Sequence, residues 1–84
     1  MLYFLKIIPR QLSMKNKNLG NFIKQKRIEK NISTSEIVKN LTISEAGYIR
    51  IENGDDLVYV DDLMVIAEIL GIDVCEALEV YERK

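Results

Sequence analysis

Histidine is absent from this chain of 84 residues, and cysteine occurs once, as Cys75. With a single cysteine no disulfide can close within one chain, and without histidine the cysteine/histidine metal sites cannot be assembled. Glycine is scarce as well, with four in the chain; none forms a phosphate-cradling loop, and without histidine there is no helical ligand pair of the paired-histidine metal motif. The scattered aspartates and glutamates read as helix caps and solvated surface, and Cys75 as a small core or interface residue rather than a nucleophile. These shortages leave an enzyme as the least favoured class, call for no cofactor and no metal, and make a reducing cytoplasm the expected location.

Long apolar runs are also missing. Residues 1–8 are apolar except for Lys6, and Pro9 ends the run. That is far too short to span a bilayer, and it lacks the leading basic stretch and small-residue cleavage site of a targeting signal. It reads as a short strand or hydrophobic arm that packs in an assembled dimer or against Phe22; the plain alternative is that Met14 is the functional start.

What remains is ordinary for a folded domain. Hydrophobic residues make up 48% and charged residues 30%, too apolar for a disordered chain and enough for one modest core. Residues 1–18 read as an arm and 19–84 as a single domain. The net charge of -1 conceals a division: residues 1–30 carry eight Lys/Arg against one acid, and residues 31–84 carry four against twelve. Such a split can focus a field on one face, provided folding keeps the halves on different surfaces.

Apolar spacing predicts five helices and no sheet. Leu19, Ile23 and Arg27 share one face of a first helix over residues 19–30, closed by a left-handed Asn31, after which Ile32 turns inward. Ser33 and Glu36 form a capping box that opens a second helix ending near Asn40. Ser44 caps a third over 44–52, with Tyr48 and Ile51 inward and Asn53-Gly54 at its end. Leu63, Ile66, Ala67 and Leu70 line a fourth helix over 60–70, with Asp61 and Asp62 at its amino end and Gly71 beyond it. A last helix, capped by Asp73, runs to about Tyr81 with Leu78 inward.

Taken in order, Leu19-Gly20, Ile23, Arg27, Ser33 with Glu36 and Ile37, Leu41, Ile43, Tyr48, Ile51, Glu52-Asn53-Gly54, Leu63, Ile66-Ala67, Leu70-Gly71-Ile72 and Leu78 resemble the Cro/Xre helix-turn-helix family of phage repressors and bacterial regulators over about sixty residues. The run Tyr48-Ile49-Arg50-Ile51-Glu52 is also similar to the amino-terminal domains of Rgg/PlcR-like regulators. The resemblance implies an all-α, compact five-helix, lambda-repressor-like helix-turn-helix domain with a short amino-terminal arm or strand. It further implies an ion pair between Arg27 and Glu52, and a third helix that docks in the major groove of double-stranded DNA.

Carried over position by position, the base-reading candidates are Glu45, Ala46, Ile49 and Arg50. Arg50 can fork onto a guanine, Glu45 can accept from a cytosine amino group, and Ala46 or Ile49 can touch a thymine methyl. Thr34 and Asn53 match phosphate-binding positions, and Lys15, Lys17 and Lys39 can add to that grip. The expected activity is sequence-specific DNA binding in transcription control, by a homodimer that doubles the site read. The alternative is a protein-interaction module of the same fold, an antirepressor or a partner of another regulator, without DNA binding.

Four departures from the family pattern carry expectations of their own. Thr42 replaces the usual turn glycine and Val38 the usual alanine, so the two short helices are expected to cross more widely. Gly47 inside the third helix costs roughly 1 kcal/mol relative to alanine. Asp55 and Asp56 follow Gly54, where acids repel phosphates.

Overall fold

The computed structural model describes residues 13–82. Its elements are α1 (Lys17–Glu29), α2 (Thr34–Ile37) continued by a 3-10 turn (Val38–Asn40), α3 (Glu45–Glu52), α4 (Val60–Leu70) and α5 (Val74–Glu82), with two-residue strands β1 (Ser13–Met14) and β2 (Val58–Tyr59). Over the described residues the domain is small and all-α in its core, with five helices. The expectation of no sheet fails in one place: β1 pairs antiparallel with β2, Ser13 opposite Tyr59 and Met14 opposite Val58. This ladder fastens the chain entering α1 to the loop leading into α4. Whether residues 1–8 pack in a dimer or against Phe22 falls outside the described residues.

Helix α1 starts earlier than the apolar spacing suggests, because Asn16 caps it: its Oδ1 accepts the Leu19 amide at 2.7 Å. The same side chain donates through Nδ2 to the Tyr81 carbonyl at 2.7 Å, joining the start of α1 to the end of α5. At the other end Asn31 is left-handed with φ 57°. The Ile32 amide then returns to the Arg27 carbonyl at 3.2 Å and the Asn31 amide to Ile28 at 3.0 Å, so the last carbonyls keep donors. Helix α4 ends in the same way at Gly71, φ 66°.

The second and third helices begin on side-chain caps. Ser33 Oγ accepts the Glu36 amide at 3.1 Å while Glu36 Oε1 accepts the Ser33 amide at 3.1 Å. The Ser33 amide first, and then the Ser33 hydroxyl, which donates to the same Oε1 at 3.2 Å, hold the exposed Glu36 carboxyl below its ordinary range. Ser44 Oγ accepts the Gly47 amide at 3.1 Å.

Leu19, Ile23, Ile37, Tyr48, Ile51, Val58, Val60, Leu63, Ile66, Leu70 and Ala77 form the buried core. Each large aliphatic among them contributes about 1.5–3 kcal/mol by leaving water. Helix α1 lies at the centre, packed on α5, α3 and α4, while α3 also rests on α2. In α5 Leu78 packs against the core as expected, half-buried, and the most deeply buried positions are Ala77 and Val80. Six of its nine residues are apolar, so spacing alone left the inward face open. Among the described residues no helix is long and apolar enough to cross a membrane.

Thr42 has a specific partner. Its amide and hydroxyl donate to the two carboxylate oxygens of Asp62, at 3.2 and 2.7 Å. Asp62 is buried, so the turn between α2 and α3 is tied to the first turn of α4 by a side chain that reads, locally, only as a favourable charge at a helix start.

Candidate nucleic-acid interface

Helix α3 divides cleanly. Gly47, Tyr48, Ile51 and Glu52 are buried, whereas Glu45, Ala46, Ile49 and Arg50 are exposed. At about 100° per residue these four span an arc of roughly 140°, one continuous outward face. Ile49, at 42% exposure, is an apolar side chain left in that face.

The inward face is fixed by a polar joint. Arg27 Nε donates to Glu52 Oε2 at 2.7 Å and Arg27 Nη2 to Glu52 Oε1 at 3.1 Å, a two-pronged pair between α1 and α3. Arg27 Nη1 donates to the Ile32 carbonyl at 2.9 Å, and the Tyr48 hydroxyl donates to Glu52 Oε2. The side chains are 13% and 4% exposed for Arg27 and Glu52, so these are charges largely removed from water, and among the described residues no buried side-chain nitrogen or oxygen lacks a hydrogen-bond partner. The hydrogen bond to Glu52 raises the Arg27 guanidinium still further above its usual range. Burial, and then the bond to Glu52, hold the Tyr48 phenol far above its own.

Backbones meet at the same joint. A Cβ placed on Gly20 would lie 2.4 Å from the carbonyl oxygens of both Ile51 and Glu52, so only glycine lets α1 come this close to the end of α3. One turn away, a Cβ on Gly54 would lie 2.8 Å from Lys17 Cα, and Gly54 is left-handed with φ 80°. The carboxyl end of α3 is thereby clamped onto α1.

The structure places the candidate site residues in two groups. At the amino end of α3, Thr34 Oγ1 donates to Glu45 Oε2 at 2.5 Å, so a residue expected on phosphate and one expected on a base engage each other. At the carboxyl end, Arg50 Nε donates to Asp56 Oδ2 at 3.2 Å, and Asp56 Oδ1 accepts the Leu57 amide at 2.8 Å. The Leu57 amide foremost, then Arg50, and finally the positive charge of Lys15, hold the Asp56 carboxyl below its ordinary range. Lys15 is therefore within electrostatic reach of this end, and the Lys17 backbone packs on Gly54 beside the exposed Asn53. Lys39 is exposed on the 3-10 turn, close enough to Glu36 to strengthen its acidity. Thr42–Asp62, Asn16–Tyr81, Thr34–Glu45 and Arg50–Asp56 are among the pairings that sequence reasoning missed. Asn16 carried a signal, as a favoured capping type ahead of the apolar period; the other three are visible only in three dimensions.

Neither a protein-family model nor a curated protein sequence matches this chain.

Proposed function

We propose that this chain is a sequence-specific DNA-binding regulator of the Cro/Xre helix-turn-helix type, a binding protein rather than an enzyme, acting as a homodimer in the cytoplasm. The observation that carries the reading is the outward face of α3, in which Glu45, Ala46, Ile49 and Arg50 stand exposed on a short helix whose opposite face is locked by Arg27, Tyr48 and Glu52. A reading helix must present a mixed polar and apolar edge to bases while its own position is held by the body of the protein. Lys15 and Lys17 at one end and Lys39 on the preceding turn supply charges for phosphates.

Selection of bound duplexes from a random pool, followed by filter binding over a salt series, tests this. Enrichment of a palindromic site is expected. If each monomer neutralises about three phosphates, log affinity against log salt should fall with a slope near -5 for a dimer. Lys15→Ala or Lys17→Ala should flatten that slope by roughly one unit for each phosphate no longer neutralised. Binding that is absent even at low salt would refute the proposal.

A second reading has its own support. Glu45 and Arg50 are already engaged within the protein, and the neighbouring loop is acidic and exposes Leu57. Those features suit a module that binds another regulator, and a stable complex with such a protein together with no duplex binding would favour it.

A further inference from the structure

We propose that Asp56 is a positioning residue for Arg50, holding its guanidinium so that the two terminal nitrogens face a guanine. The inference rests on the DNA reading of α3 and deepens it. Asp56 is anchored from the backbone, one oxygen accepting the Leu57 amide at 2.8 Å, which leaves the other directed at Arg50 Nε at 3.2 Å. Arginine carries one N–H on Nε and two on each terminal nitrogen. With Nε taken, Nη1 and Nη2 form the fork that matches O6 and N7 on the major-groove edge of guanine.

The direction of the side chain agrees. Helical side chains lean toward the amino end, and Arg50 Nη2 lies 3.8 Å from where a Gly47 Cβ would stand, one turn earlier. The guanidinium is thus drawn toward the amino-terminal half of α3, the part of a reading helix that meets base edges. The side chains of Arg50 and Asp56 are 55% and 42% exposed, too open for their pairing to matter much to stability. What the pair restricts is the freedom of a flexible side chain before it binds, and a preorganised fork loses less on docking. On this view the acidic loop costs some phosphate attraction and returns base discrimination.

The test compares wild type, Asp56→Ala, Asp56→Asn, Arg50→Ala and the double variant Arg50→Ala/Asp56→Ala on the selected duplex, its single-base variants and a random duplex. Arg50→Ala should erase the preference at one G·C pair, on the order of tenfold or more. Asp56→Ala should lower the preference at that same pair several-fold while leaving random-duplex affinity unchanged or raised. Asp56→Asn, which keeps an accepting oxygen, should retain most of the preference, and the double variant should lose no more than Arg50→Ala. Nitrogen NMR supplies a reading without DNA: the Arg50 Nε–H signal should exchange slowly with water in wild type and rapidly in Asp56→Ala. An unchanged NMR signal, or an Asp56→Ala protein that binds the operator more tightly with its preference intact, overturns the inference and leaves the DNA reading standing. A wild type that enriches no duplex overturns the DNA reading, and this inference with it.

Discussion

Removing the Glu52 carboxylate should erase a large part of this domain's stability margin, and the structure sets the size. Glu52→Ala withdraws the acceptor for Arg27 Nε, Arg27 Nη2 and the Tyr48 hydroxyl together, at a side chain only 4% exposed. Breaking one side of a buried charge pair costs about 3–5 kcal/mol when the other charge is left without compensation. Arg27 is 13% exposed and keeps its bond to Ile32, so we place Glu52→Ala near the lower end, at about 3 kcal/mol. Arg27→Ala should cost a similar amount, because Glu52 keeps only the Tyr48 donor. Tyr48→Phe, which removes a single donor, should cost about 1 kcal/mol.

Native domains hold roughly 0.05–0.15 kcal/mol per residue, so either charge deletion would take a large fraction of the total. The double variant Arg27→Ala/Glu52→Ala should lose clearly less than the sum, with a coupling of about 1–3 kcal/mol. Urea unfolding of the four proteins at equal ionic strength measures it, provided the slopes stay alike. Additivity within about 0.5 kcal/mol would mean that the two charges act independently, and the reasoning would be wrong.

Three further outcomes are expected. Gly20→Ala should destabilise severely, because its Cβ would meet two carbonyl oxygens at 2.4 Å, whereas Gly47→Ala, whose nearest neighbour would be Ser44 Oγ at 3.4 Å, should stabilise by up to about 1 kcal/mol; thermal melts of the pair read both signs. Thr42→Gly, the residue that the family resemblance favours in the turn, should destabilise by about 1–3 kcal/mol, since it strips a donor from buried Asp62; a neutral result in urea would show that bond to be idle. Glu36 has its pKa depressed below the ordinary 4.5, so its stabilising effect should be present above that value and fade as pH falls through the lower folded-state value. The stability gap between wild type and Glu36→Gln should therefore shrink from about pH 6 to about pH 3, and a gap that widens on acidification would contradict the capping box.

Local chemistry carries most of the fold. Ser33, Asn31, Ser44, Gly54 and Gly71 each mark a helix end by a mechanism confined to a few neighbouring residues, and the structure uses all five. The β1–β2 ladder escapes a sequence reading because two residues per strand display no alternation to detect. Thr42 reads as excess bulk in a turn and Asp62 as a charge near a helix start; their hydrogen bond depends on bringing together residues twenty apart. The outward row on α3 is legible from the family pattern, but the engagement of Glu45 by Thr34 and of Arg50 by Asp56 is not. In sequence the acidic loop reads only as a repellent of phosphates, whereas in three dimensions one of its carboxylates meets the arginine of the helix before it.

The unequal fastening of α3 has a mechanical consequence. Its carboxyl end is seated backbone against backbone on α1 through Gly20 and braced by charges almost wholly out of water, while its amino end is held through side chains, by the exposed Thr34–Glu45 hydrogen bond to α2 and, from the turn before it, by Thr42 on the buried Asp62 of α4. A helix clamped by backbone at one end and by side chains at the other should yield first at the side-chain end, so small reorientations are expected to grow from Glu52 toward Glu45. A surface that α3 meets would then meet a fixed heel and a more adjustable toe, with fitting to variation in that surface falling to Glu45 and Ala46 while Arg50 keeps its register with the body of the protein.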